Sequence, residues 1–173
     1  MNVLECFKPI KLIAMDVDGV LTNGSLLLLN DGQMARSMNI KDGYAIQLAI
    51  KKGYHVLVIS GAVDEAVRMR LNKLGVTNVH LGIVNKATLL QENINQLKLD
   101  GTQVLFIGDD MPDYDAMKLA GLSCCPADAV SDIRNIVHYI SPFKGGEGCV
   151  RDVIEKVLKL NHDWENDLNV VAQ

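Results

Sequence analysis

Asp16 and Asp18 stand one residue apart at the end of an apolar run, Lys11–Met15. Alternate residues of an extended segment point the same way, so both carboxylates would face one pocket. Two anions so placed repel each other unless a cation or a shared proton neutralises them. Alone, Asp-x-Asp-Gly also suits a solvated boundary between strand and turn. Asp109, Asp110 and Asp113 add three acids within five residues, directly after the apolar run Val104–Ile107. Hard oxygen ligands with positions open to water suit Mg²⁺, although acids are also favoured at a helix N-terminus. Taken together, the two clusters predict a magnesium site. Ser60-Gly61 offers a hydroxyl and close backbone N–H groups near a helix start, a seat for an anion. Lys86 brings a compact positive charge that would offset phosphoryl oxygens.

These positions need a scaffold that gathers them. Short apolar runs alternate with helical patterns along the chain, which predicts an α/β fold with a parallel sheet covered by helices. Expected strands are Lys11–Met15, His55–Ile59, Val76–Leu81 and Val104–Ile107, with short ones at Leu122–Cys125 and His138–Ile140. Leu26–Leu29 and Gln33–Met38 flank Asn30-Asp31-Gly32, a hairpin signal. Asp42 is the expected cap of a helix running to Lys52. Asp64 or a neighbour opens the next helix, with Val67, Leu71 and Leu74 as its apolar stripe and Gly75 as its stop. Asn85-Lys86 starts another, Pro112 suits the first turn of a fourth that Gly121 ends, and Val150–Leu160 is the last. Each polar cluster therefore falls at a strand's carboxyl end or a helix start, where open α/β sheets form their ligand crevice.

The 173 residues fit one domain with a sizeable core. Hydrophobic residues make up 49% and charged residues 22%, which excludes a disordered chain. A net charge of −4 without any run of Lys or Arg argues against nucleic-acid binding. Cys6, Cys124, Cys125 and Cys149 have no metal-ligand spacing and read as reduced, mostly buried thiols. No signal peptide is apparent and no apolar run approaches the roughly 20 residues that span a bilayer, so a cytoplasmic location is expected.

In this order the clusters resemble the haloacid dehalogenase superfamily of phosphohydrolases. Asp16-Val17-Asp18-Gly19-Val20-Leu21-Thr22 matches its first motif, Ser60 its second, Lys86 its third, and Gly108-Asp109-Asp110-Met111-Pro112-Asp113 its fourth. The resemblance covers nearly the whole chain and implies a Rossmann-like three-layer sandwich. It implies that Asp16 attacks phosphorus and becomes an aspartyl-phosphate. Asp18 would protonate the leaving alcohol and then deprotonate the hydrolytic water. Mg²⁺ would lie on Asp16, the main-chain carbonyl of Asp18 and Asp109, with Asp110 and Asp113 in support. Ser60 and Lys86 would stabilise the transferring group.

Closer still, the chain is similar to the capless branch that includes 3-deoxy-D-manno-octulosonate 8-phosphate (KDO 8-phosphate) phosphatases. Its marks are the hairpin after Thr22, Lys41-Asp42-Gly43-Tyr44, and Gly145-Gly146-Glu147-Gly148-Cys149-Val150-Arg151-Asp152. The resemblance implies a phosphorylated sugar acid as substrate and a homotetramer in which a neighbour's C-terminal segment helps close the site. Residues 1–173 would form a single domain, with a hairpin flap at about 22–41 and a C-terminal helix and tail at about 149–173. No cap domain fits between Ser60 and Lys86, or between Thr22 and Lys41. Leu26–Leu29 is apolar on both faces, which an exposed hairpin tolerates poorly, so burial against other subunits is expected.

Arg70 and Lys73, on the helix after Ser60, are candidate contacts for the sugar acid, either in their own site or in a neighbour's. Arg70 lies about 15 Å beyond Ser60 if the path is all helix. Arg151 is a further candidate, or an anchor of the last helix. Ala62 departs from the Ser/Thr-Gly-Arg of octulosonate phosphatases and from the Gly-Glu of relatives that act on nine-carbon acid 9-phosphates. The latter substrate, and a catalytically silent regulatory subunit, are the alternatives. A phosphoryl-accepting receiver module fits less well, because there an acidic pair precedes a lone acceptor Asp and Lys comes last.

Overall fold

The structure is a computed structural model that describes residues 2–165 and 170. Six parallel strands form its main sheet: β1 (Leu12–Met15), β4 (His55–Ile59), β5 (Asn78–His80), β6 (Val104–Ile107), β7 (Leu122–Cys125) and β8 (Tyr139–Ile140). Their order across the sheet is β5-β4-β1-β6-β7-β8. After β5 the chain crosses back past β1 to start β6 on the other side. The carboxyl end of β1 therefore marks the point where the winding reverses, and a crevice opens there.

Both faces of the sheet are covered, which is why its strands read as unbroken apolar runs. Ile13, Met15, Val56 and Val58 pack with α1 (Ile40–Lys51), α2 (Glu65–Lys73) and α6 (Cys149–Leu160). Their alternates Leu12, Ala14, Leu57 and Ile59 pack with α3 (Lys86–Leu97), α4 (Tyr114–Leu119) and α5 (Ser131–Arg134). One residue's shift of register would exchange the two sets. This is the expected α/β sandwich, and two helices that cap as predicted start at its edge. Asp64 accepts from the amides of Ala66 and Val67 at the head of α2, and Asn85 accepts from Thr88 at the head of α3.

A separate hairpin, β2 (Leu27–Leu28) and β3 (Met34–Ala35), leaves the main sheet between β1 and α1. Its strands are shorter than the expected Leu26–Leu29 and Gln33–Met38. A two-stranded ribbon with no third strand has little to hold it beyond its turn. Leu27 and Leu28 are 65% and 72% exposed.

Other boundaries shift as well. Only Asn78–His80 of the expected strand Val76–Leu81 pairs, and Tyr139–Ile140 of His138–Ile140. Asn39, rather than Asp42, caps α1, its side chain accepting from the Lys41 amide. Asp42 sits inside α1, buried, and its Oδ1 accepts from the backbone N–H of Arg151 at 2.8 Å. Gly148 supplies no side-chain cap to α6, so an acid from another helix fills that place. Short 3₁₀ turns at Val3–Phe7, Gly101–Gln103 and Met111–Asp113, and the single-turn α5, lack a long enough apolar period to be read beforehand. Of the expected C-terminal tail, residues 166–169 and 171–173 lie outside the described residues.

Candidate active site

The carboxyl edge of the sheet delivers three of the predicted motifs on rigid supports. The Asp16 amide donates to the Ile107 carbonyl (3.0 Å), the Ser60 amide to His80 (2.9 Å), and the Gly108 amide to Cys124 (3.2 Å). Each strand thus stays tied to its neighbour for one residue past its end. Asp16, Asp18, Ser60, Gly61, Lys86, Asp109 and Asp110 all line one cleft of about 530 Å³.

At its floor, Lys86 Nζ lies 2.8 Å from Asp16 Oδ2 and 2.7 Å from Asp113 Oδ1. Asp113 Oδ2 accepts from the Asp109 amide at 3.0 Å, which fixes the start of the Asp109 loop. Asp16, Asp109 and Asp113 each present a carboxylate oxygen within 4.8 Å of the others. Gly19 makes this closeness possible. Its φ is +84°, and a Cβ there would fall 1.9 Å from Asp109 Oδ2.

Charge at the floor is unbalanced. Three carboxylates face one ammonium, which leaves two negative charges in a buried niche. Burial pushes the Asp16 carboxyl up to about 7, Asp113 pushes in the same direction, and Lys86 offsets them only partly. Asp109 also rises to about 7, first through burial and then through Asp113, Asp16 and Asp110. Burial raises Asp113 as well, against the pull of Lys86. Burial alone would lower Lys86, but Asp113 and Asp16 hold it above the ordinary lysine range. Asp109 Oδ1 is buried with no hydrogen-bond partner among the described residues. An orphaned carboxylate oxygen beside a niche that lacks two positive charges fits a divalent cation with oxygen ligands.

The other expected residues are placed differently. Ser60 is buried at the cleft and its Oγ accepts from the Ala62 amide (3.2 Å). Asp110 is exposed and caps the turn at Met111 (2.7 Å). Arg70 lies outside the cleft, in a side groove with Met34, Arg36, Met38 and Ala66. Lys73, exposed on α2, lines neither. Arg151 stacks over Tyr44 and Trp164, with its guanidinium centres 5.6 and 5.1 Å from the rings, and pairs with Glu155 at 3.2 Å. In this position it anchors α6. The glycine-rich stretch before α6 buttresses the Asp16 loop. Gly146 N donates to the Val20 carbonyl at 3.0 Å, and a Cβ on Gly145 would strike Gly19 O at 1.8 Å.

Two residues that hold the Asp18 carboxylate were not among the expected site residues. Arg36, following β3, donates from Nε to Asp18 Oδ1 (2.8 Å), from Nη2 to Asp18 Oδ2 (3.1 Å) and from Nη1 to Asp64 Oδ2 (2.6 Å). Thr22, fully buried, donates to Asp18 Oδ1 (3.2 Å) and accepts from the Gly19 and Gly24 amides. Arg36 did carry a sequence signal. It is the one basic residue between Thr22 and Ile40, in a hairpin otherwise without positive charge.

Comparison with known proteins points to one family. Residues 79–153 match the profile of the haloacid dehalogenase-like hydrolases. The chain is 34% identical over 157 residues to the 3-deoxy-D-manno-octulosonate 8-phosphate phosphatase of Yersinia pestis, covering 91% of this chain and 84% of that one. The crystal structure of the Yersinia pestis phosphatase superposes with a TM-score of 0.90 at 33% identity, over 93% of this chain and 87% of that one. That of the Moraxella catarrhalis phosphatase, in complex with magnesium, phosphate and KDO, gives 0.88 at 31% identity over 91% of each chain.

Proposed function

The chain belongs to the haloacid dehalogenase-like hydrolases, and from that premise we propose that it hydrolyses KDO 8-phosphate through an aspartyl-phosphate on Asp16. The observation that carries the reading is the Asp16–Lys86–Asp113–Asp109 floor, with its unpaired negative charge and orphaned Asp109 oxygen. The substrate rests on similarity to the Yersinia and Moraxella phosphatases.

Asp16 and Asp109 would hold magnesium with the Asp18 carbonyl, and the bound ion would supply positive charge to the phosphoryl oxygens. Asp16 attacks phosphorus, the bond to the sugar oxygen breaks, and Asp18 gives that oxygen a proton. Water then loses a proton to Asp18 and attacks the same phosphorus. The Asp16–phosphorus bond breaks, inorganic phosphate leaves, and Asp18 is protonated again. Lys86 steers the nucleophile: it holds Asp16 Oδ2 at 2.8 Å while the Val17 amide holds Oδ1 at 2.6 Å, so the orientation of the carboxylate is fixed. Asp113 holds Lys86 in that place, and Ser60 with the Gly61 backbone faces the transferring group across the cleft.

Assembly as a homotetramer is part of the proposal, supported by the exposed apolar hairpin: Leu27, Leu28 and half-exposed Met34 need a covering surface. Among the described residues no helix is long and apolar enough to cross a membrane, in keeping with a cytoplasmic enzyme.

Phosphate release from KDO 8-phosphate, with Mg²⁺ or EDTA, tests the reading. Turnover should vanish in EDTA, return with Mg²⁺, and fall by about 10⁴-fold or more in Asp16→Asn. Metal-independent hydrolysis that survives Asp16→Asn would sink it. Sedimentation of the intact protein as a monomer would sink the tetramer.

A further inference from the structure

We propose that Arg36, delivered by the hairpin, is a positioning residue for the acid–base step, fixing the Asp18 carboxylate so that Oδ2 faces the reaction. The inference rests on the role given to Asp18 above. A carboxylate has about four acceptor sites, two on each oxygen. Oδ1 of Asp18 receives both Arg36 Nε (2.8 Å) and the Thr22 hydroxyl (3.2 Å) and is filled. Among the described residues Oδ2 receives only Arg36 Nη2 (3.1 Å), which leaves one of its two sites for the reaction. Two parallel N–H···O bonds from one planar guanidinium set the plane of the carboxylate as well as its position.

Arg36 is itself held. Its side chain is 8% exposed, and Nη1 bonds Asp64 at 2.6 Å, the acid that caps α2. Asp64 therefore serves two purposes, closing the head of α2 and anchoring the guanidinium. The second acid also keeps Arg36 paired when Asp18 carries a proton, so the positioning group stays in place through both half-reactions. A direct hold on the substrate carboxylate is the competing role for an arginine at a cleft. All three of the Arg36 contacts go instead to Asp18 and Asp64.

The two roles separate by leaving group. A p-nitrophenolate departs without a proton, whereas an alkyl alcohol needs one, and kcat/KM reports steps only through departure of the leaving group. Arg36→Gln should lower kcat/KM at least about tenfold for KDO 8-phosphate, and by a similar factor for a simple alkyl phosphate lacking a carboxylate. For p-nitrophenyl phosphate the fall should stay within about threefold. Asp64→Asn should move the same ratio in the same direction, less far, and Arg36→Lys should recover part of it. Equal losses on all three substrates would reduce Arg36 to a structural role. A loss confined to KDO 8-phosphate would make it a substrate contact; either result overturns the proposal. If the unaltered protein releases no phosphate, or Asp18→Asn keeps full alkyl turnover, the fault lies with the function proposed above.

Discussion

The Asp16–Asp18 segment is held by two clusters, in each of which one cation bonds two carboxylates, on supports of different stiffness. Lys86 with Asp16 and Asp113 sits on strand ends and a helix start, and the side chains of Lys86 and Asp113 are 2% and 1% exposed. Arg36 with Asp18 and Asp64 joins a loop, a two-residue strand and a helix cap, and the side chain of Asp18 is 32% exposed. In the first, burial outweighs pairing, and the carboxyls of Asp16 and Asp113 are both raised. Water reaches the second, and a planar guanidinium meets its acids with three bonds. The difference teaches what each can do. A desolvated cluster stores uncompensated charge for a cation and a phosphoryl group, and a wetter one can hold a carboxylate that must exchange protons.

Removing the buried cation should give the largest effect. Lys86→Met leaves Asp16 and Asp113 facing each other without compensation. Turnover of KDO 8-phosphate should fall by about 10²–10³-fold. Metal-free stability at pH 8 should fall by about 3 kcal/mol in denaturant titration. That loss should shrink as pH drops towards 4, because protonated carboxyls no longer repel. An equal stability loss from Arg36→Gln would erase the contrast between the clusters.

Magnesium linkage should sharpen the contrast. Asp16 and Asp109 rise from about 3.8 unfolded to about 7 folded, so the folded metal-free protein binds more protons than the unfolded chain between those values. Metal-free stability is therefore lost as pH rises from about 4 towards 8. A divalent ion binds the ionised carboxylates and releases their protons. The rise in melting temperature on adding Mg²⁺ should be small near pH 5.5 and grow to pH 8. At about a hundred times Kd it is worth about 2.7 kcal/mol. Arg36→Gln should keep this pH trend and Asp109→Asn should lose it. A rise that is equal at both pH values would contradict the charge imbalance at the floor.

The same contrast decides how much could be read in advance. The Lys86 cluster falls on strand ends and helix starts whose period is strong, so β1, β4, β6 and α3 appeared within a residue of their places and brought Asp16, Ser60 and Lys86 to one edge. Arg36 stands in a ribbon of two-residue strands, where neither period nor length carries a signal and a long side chain's direction depends on tertiary packing. Asp42 failed as a cap for a related reason. An acid early in a helix suits its own N-terminus and another helix's equally well, and only packing of α1 on α6 chooses. Arg70 and Lys73 look alike in sequence, yet α2 turns one into the side groove and the other to solvent.

Asp42 offers the limit of the comparison, a buried acid bonded, among the described residues, by a backbone N–H rather than by a cationic side chain. Its Oδ1 takes the Arg151 amide, and its Oδ2 is buried without a partner among the described residues. Burial pushes its carboxyl up to about 6, against the backbone N–H groups of Arg151 and Gly148 and the charge of Arg151. The folded value exceeds the unfolded one, so stability is lost as pH rises from about 4 through about 6 and stays lost above. Asn cannot ionise, keeps an oxygen for the Arg151 amide, and leaves one polar atom unpaired as before. Asp42→Asn should thus stabilise the protein at pH 7.5, by no more than the roughly 3 kcal/mol that a rise from 3.8 to about 6 carries, with the gain gone by pH 4 in paired denaturant titrations. Destabilisation at pH 7.5 would mean that the positive end of α6 holds the charge better than burial opposes it. A helix N-terminus would then rank with Lys86 and Arg36 as a partner for a buried carboxylate.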